Sequence, residues 1–444
     1  MRRFFPLALL LACSKSPAPA PVEPTAVPAP SPPPQTASVA SVASSAAPQA
    51  EPPPGPPKNL NVLVISIDSM RTDMPWNGYP RPIAPRLTAL EKKAVSYTRS
   101  YAVSSYTSMS IGGFLAGRLP SELGRSGYFF GEYSKDNLFF PKLLQKAKVH
   151  TMGVQAHFYF KAAGFEQGFD NWEIVPNLKV DNTTDRNVTA PESEALMEKV
   201  LSDPANDTGP FFAWVHFLDP HDVYMPHEGY SFGRSERDKY DGEIAFTDHY
   251  VGKLLDFVAT KPWASRTAIV ITSDHGEAFG EHGQTRHGFA VWDNLVHVPL
   301  FFVVPGAAPK HIDEPRSALD LAPTILEFLG VPPEPSFVGT SLVREVYGDK
   351  PTPRDVYVDL PATSDNDKHR ALIRGNSKLI CYSDQHCKLF DLASDPGEER
   401  PITRGDTYKE LVDAYRAHAK TLKEVAPSRC GVGCLNNAYK TRKK

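Results

Sequence analysis

Two apolar runs that end on acids constrain this chain more than any other feature. The first, NVLVISID, spans Asn61 to Asp68; the second, AIVITSDHG, spans Ala268 to Gly276 and adds a histidine after its acid. Runs so rich in Val and Ile suit strands buried on both faces, and such strands belong to parallel sheets covered by helices. Sheets of that kind bind ligands beyond the carboxyl ends of their strands. Asp68, Asp274 and His275 are therefore expected at one sheet edge. A lone Asp-His-Gly after a strand would equally suit a turn with a capping acid, but two strands of one design aim their acids at one place. Beyond Gly276 the chain reads EAFGEHGQTRHG, which brings further ionisable side chains, His282 and His287 among them, after the same strand.

Further strand-like runs at Val149–Gln155, Phe211–Phe217 and Val298–Val304 alternate with helical patterns over 84–94, 107–116, 192–201, 241–259 and 318–330. Alternation of this kind predicts an α/β fold with a mostly parallel central sheet flanked by helices, over residues 59–345. After Val346 the texture changes. Short runs at 355–359, 371–375, 378–382 and 388–391 read as antiparallel strands of a small subdomain, 346–402. Residues 407–425 have helical spacing through Leu411, Val412, Tyr415, Ala419 and Leu422, and the stretch 403–444 ends in a basic tail.

Charge excludes little: a formal net charge of −3 with no basic stripe gives no reason to expect nucleic acid. The amino terminus says more. Arg2 and Arg3 precede a short apolar run, Phe4 to Ala12, of secretory rather than membrane-spanning length. It ends in Leu10, Leu11, Ala12 and Cys13, which resembles a bacterial lipoprotein signal; residues 1–12 would be removed and Cys13 lipidated. Residues 1–58 hold 16 of the 43 prolines, and 13–58 read as an extended tether that cannot build a core. Such a protein is expected in a bacterial cell envelope, anchored by lipid, with the outer membrane the favoured site. Outside the cytoplasm the close pairs Cys381/Cys387 and Cys430/Cys434 read as disulfides, with a zinc site the alternative for the second.

The segments that carry chemistry, taken together, resemble the sulfatases of the alkaline-phosphatase superfamily from about Asn59 to Ile402. They are NVLVISIDSMRTD from Asn61, APRLTALEKKAVSYTRSYAVSSYTSMS from Ala84, FFAWVHFLDPHDVY from Phe211, YDGEIAFTD from Tyr240, SDHGEAFGEHGQTRHG from Ser273, LDLAPTILEFLGV from Leu319 and LIRGNSKLICY from Leu372. Sulfatases convert a cysteine of Cys-x-Pro-Ser-Arg into formylglycine. The corresponding stretch here is Thr107, Ser108, Met109, Ser110 and Ile111, so no formylglycine can form. Thr107 stands where phosphatase-like branches of the superfamily carry a nucleophilic Thr or Ser, although a threonine opening a helix can also serve as its cap.

The resemblance implies Asp68, Asp274 and His275 as ligands of one divalent metal, with Thr107 the fourth. Ser69 replaces a second acid of many sulfatases, which shifts the expected ion from calcium toward manganese or zinc. His221 and His287 match positions that contact an anionic ester substrate, and either suits a general acid. His216 and His282 read as a core histidine and a loop-ordering one. Ile111 stands where the family has an Arg or His. The function implied is hydrolysis or transfer of phosphate or sulfate esters through Thr107, phosphate favoured. A catalytically inactive, sulfatase-shaped binding protein is the alternative, and oligomeric state is not legible.

Overall fold

A computed structural model of the protein describes residues 55–127, 131–179, 186–204, 209–363 and 366–428. Cys13, Cys430 and Cys434 lie outside the described residues. The main sheet contains β1 (Asn61–Ile67), β2 (Val95–Tyr101), β3 (His150–Gln155), β4 (Asn171–Ile174), β5 (Phe211–Phe217), β6 (Thr267–Ser273), β7 (His297–Val303), β8 (Lys310–Ile312) and β9 (Arg316–Ser317). Their order is β4-β3-β5-β1-β6-β7-β2-β8, with β9 also on β2. Strands β4, β3, β5, β1 and β6 pair parallel throughout, and β8 and β9 run parallel to β2. Only β7 is reversed among the described strands, antiparallel to both β6 and β2. The mostly parallel α/β architecture expected from the sequence is the one observed.

Alternation along the strands fills two cores, as the pleat requires. Val62 and Val64 of β1 face a cluster with Trp214, Val270, Ile111 and Phe114. Leu63, Ile65 and Ile67 face the other side, with Leu87, Met197, Val215, Ile244 and Val251 from the covering helices. Every residue of β1 and β5 is buried, which explains their near-continuous apolar sequence.

The carboxyl-terminal part forms a second sheet of β10 (Val356–Leu360), β11 (His369–Arg374), β12 (Ser377–Tyr382) and β13 (His386–Asp391), antiparallel in that order. Cys381 and Cys387 stand opposite each other on β12 and β13 and are joined by a disulfide with a Cα–Cα distance of 4.1 Å. A loop so short is stabilised by about 2 kcal/mol in the chain-entropy account. Helix Asp406–Ala419 packs on this sheet through Leu411, Val412 and Tyr415, the residues its spacing indicated, but stops before Leu422.

Candidate active site

Adjacent parallel strands that end level force two acids together. Ile67 of β1 pairs with Ser273 of β6, so Asp68 and Asp274 leave the same edge side by side. The glycine of Asp-His-Gly is needed for close packing: a Cβ on Gly276 would collide with the Asn294 carbonyl oxygen. Strand β2 runs in the same direction, so its carboxyl end delivers the helix Thr107–Ala116 to this edge too. Gly117 ends that helix in the left-handed conformation, φ 57°.

One ligand-type atom from each of Asp68, Asp274 and His275 lies within 4.8 Å of the others. Thr107 Oγ1 stands 2.9 Å from His275 Nε2. Thr107 is thus not the helix cap: Tyr106 occupies that position, and no side chain caps the helix. The His275 Nδ1 lies 2.9 Å from the Gly276 carbonyl oxygen, which can only accept, so Nδ1 carries the proton and Nε2 is left with a lone pair. Burial, joined by the charge of His287, holds His275 below its usual pKa despite the nearby acids, which keeps the ring neutral. That lone pair faces Asp274 Oδ2 at 3.3 Å and Asp68 Oδ1 at 3.9 Å.

The two acids are pushed in opposite directions. Burial, with the Asp68 charge, raises Asp274 above the usual carboxylate range. Burial would raise Asp68 as well, but the His216 hydrogen bond and the charge of His221 outweigh it and hold Asp68 low. Asp274 Oδ1 accepts from the backbone N–H groups of Ser69 and His275; its Oδ2 is buried and accepts no hydrogen bond. An unpartnered carboxylate oxygen, a second buried acid and an imidazole lone pair in one spot call for positive charge, and they make a donor set suited to a divalent cation. Ser69, between them, adopts φ 56° and gives its hydroxyl to Asp68 Oδ1 at 2.8 Å, a conformation that costs free energy for a residue with a side chain.

A second group, Asp219, His227 and Glu243, also has ligand-type atoms within 4.8 Å. It differs in one respect. All four of its carboxylate oxygens are engaged, by the Thr189 N–H and hydroxyl, the Met225 N–H and His227 Nε2.

His221 and His287 border the first group. Their rings are 5.0 Å apart, and the His287 ring is 4.1 Å from that of His275. Glu277, buried and not singled out in the sequence, lies 3.2 Å from His287 Nδ1 and orients that ring. Its signal was its place in Asp-His-Gly-Glu, one residue beyond the motif. His157, also missed, lies 6.2 Å from the His221 ring. His282 stacks on Trp292 with centroids 3.8 Å apart, a loop-ordering contact as expected. His216 is buried but more than a core residue, since Nε2 is 3.2 Å from Asp68 Oδ2. Ile111 is buried in the apolar core and gives the group no polar atom.

A family model described as sulfatase matches residues 60–331, and one described as N-sulphoglucosamine sulphohydrolase, C-terminal, matches residues 280–425. The chain is 25% identical over 438 residues to a sulfatase of Formosa agariphila, covering 80% of this chain and 85% of that protein. To the choline-sulfatase of Rhizobium meliloti it is 23% identical over 444 residues, with 80% and 85% covered. In structure it resembles the phosphonate monoester hydrolase of Agrobacterium radiobacter, with a TM-score of 0.67 at 17% identity over 82% of this chain and 95% of that one. The first family match spans more than half the sequence and takes in both acid-tipped strands and the helix between them, and on that ground the chain belongs to the sulfatase family of hydrolases.

Proposed function

We propose that this protein hydrolyses phosphate esters with Thr107 as nucleophile, and sulfate esters less well. The observation that carries the reading is the Thr107 hydroxyl, 2.9 Å from His275 Nε2 at the start of a helix, beside a buried carboxylate oxygen with no hydrogen-bond partner. The donors Asp68, Asp274, His275 and Thr107 would hold one divalent ion of the calcium, manganese or zinc class. Such an ion draws charge from the threonine oxygen and from a non-bridging oxygen of the ester. The helix amino terminus favours the same negative charge. His221 and His287 would bind the ester anion and give the leaving oxygen its proton. Glu277 holds His287 in place for that task.

Turnover supports phosphate over sulfate. Formylglycine hydrate has a second hydroxyl, so a sulfated enzyme can expel sulfate by elimination. Threonine has one. Its ester must wait for water to attack sulfur or phosphorus, and phosphatase-like relatives complete that step on phosphorus. The test is a steady-state assay against aryl phosphate monoester, phosphodiester, phosphonate ester and sulfate, with calcium, manganese and zinc in turn. Multiple turnover is expected on a phosphate ester and at most a single-turnover burst on the sulfate. Sustained sulfate release faster than phosphate release overturns the ranking. Ile111, apolar and in the core, favours the second reading, a protein that binds such an ester without cleaving it. Absence of turnover on every ester with each metal would support that reading.

We also propose that the enzyme is held by a lipid-modified Cys13 in a bacterial envelope, tethered by residues 13–58. Cys13→Ser is expected to leave the membrane fraction for the soluble one or to keep its leader. Unchanged fractionation of the variant counts against lipidation.

A further inference from the structure

A buried relay of hydrogen bonds ends on Asp68. Trp214 Nε1 lies 2.8 Å from Ser66 Oγ, and an indole N–H only donates. The Ser66 oxygen accepts that bond, and its own proton has two acceptors in reach, His216 Nδ1 at 2.8 Å and the Val215 carbonyl oxygen at 3.5 Å; the shorter contact takes it. With Nδ1 accepting, the proton of the neutral ring stands on Nε2, which lies 3.2 Å from Asp68 Oδ2. Adjacent strands β1 and β5 set Ser66 directly beside His216, and the fold leaves none of the four residues more than 5% exposed.

The consequence for Asp68 is geometric. Its Oδ1 takes the Ser69 hydroxyl and its Oδ2 takes His216, which fixes the rotation of the carboxylate and leaves its remaining lone pairs for the Asp274–His275 side. On the helix face above, Ile111 and Phe114 join Trp214 in walling a small cavity that reaches Ser66 and Asp274, and the Ser110 hydroxyl beside them is tied to the Ser104 backbone. The geometry points to His216 as a positioning residue, held in one tautomer by Trp214 and Ser66, that aims Asp68 for cation binding. This inference rests on the metal reading above and adds a residue that does not itself touch ion or substrate.

The test is the affinity of the metal-free full-length chain for Mn2+, measured by chelator competition, alongside its metal-free thermal midpoint. His216→Leu is expected to weaken binding about 10–100-fold, the usual effect of losing an outer-shell partner. His216→Gln, whose amide can accept from Ser66 and donate to Asp68, is expected to recover most of that loss. Ser66→Ala, which frees the tautomer, is expected to weaken binding in the same direction, and it carries the test if His216→Leu does not fold. Affinity of Ser66→Ala and of any folded His216→Leu within about twofold of wild type overturns the inference. So does a lowered metal-free midpoint with affinity unchanged, or a His216→Gln variant no better than His216→Leu. A wild-type chain that binds no Mn2+, Zn2+ or Ca2+ overturns the metal reading itself, and the inference with it.

Discussion

Replacing Thr107 with alanine is expected to remove turnover while leaving the fold in place. The hydroxyl stands 2.9 Å from His275 Nε2 and caps nothing, so its loss breaks no helix terminus. Removing a nucleophile that acts together with its activating groups costs at least about 10^3-fold in kcat in well-studied cases. A loss of that size is expected for Thr107→Ala on the best phosphate ester, with thermal midpoint and metal content close to wild type. Thr107→Ser keeps the hydroxyl and is expected to stay within about tenfold. Both are checked by steady-state kinetics on metal-loaded protein.

The second large effect belongs to Asp274. In the metal-bound chain, a cation at 100 times its dissociation constant stabilises the fold by about 2.7 kcal/mol. Asp274→Asn is expected to lose activity and most of that response, measured as the shift in thermal midpoint on adding Mn2+ or Zn2+. Without metal the sign reverses. Burial and the Asp68 charge raise the pKa of Asp274 above its ordinary value, so the stability this group contributes is present below that ordinary value and lost as pH rises through the folded one. Asparagine has no charge to bury. The metal-free variant is therefore expected to match or exceed metal-free wild type above that window, and to lose this advantage in acid.

Much of the architecture was legible because it follows from burial. Strand β5 and the helix Thr107–Ala116 have the bounds that their apolar pattern implied, and the acids at the ends of β1 and β6 meet as parallel neighbours must. What the pattern lacked was direction. Strand β7 follows β6 without a crossover helix; the loop 274–296 stays at the carboxyl edge and the chain re-enters the sheet from there, so β7 runs backward. Strand β2 was not read as a strand, because Thr98 and Arg99 interrupt its apolar run where the register shifts beside β7. Helix Glu236–Ala259 begins five residues before its apolar periodicity, under a Ser235–Asp238 capping box.

The site was legible in its residue types and less so in its supports. Asp68, Thr107, Asp274, His275, His221 and His287 carry motif signals in the sequence, and the fold brings them together. Glu277 and His216 act through other side chains, and such a role depends on which neighbour a strand or loop presents, not on spacing along the chain. His216 is the clearer case, since an apolar strand gives no sign that one of its residues faces a carboxylate 148 residues away in sequence, at the end of the neighbouring strand.

Whether Thr107 carries the transferred group is read by rapid quenching of the metal-loaded enzyme with an aryl phosphate, followed by mass analysis of the peptide containing Thr107. A phosphorylated Thr107 is expected that appears before steady state and is absent from Thr107→Ala. Turnover at the wild-type rate by Thr107→Ala, or phosphate trapped on a different residue, would contradict it.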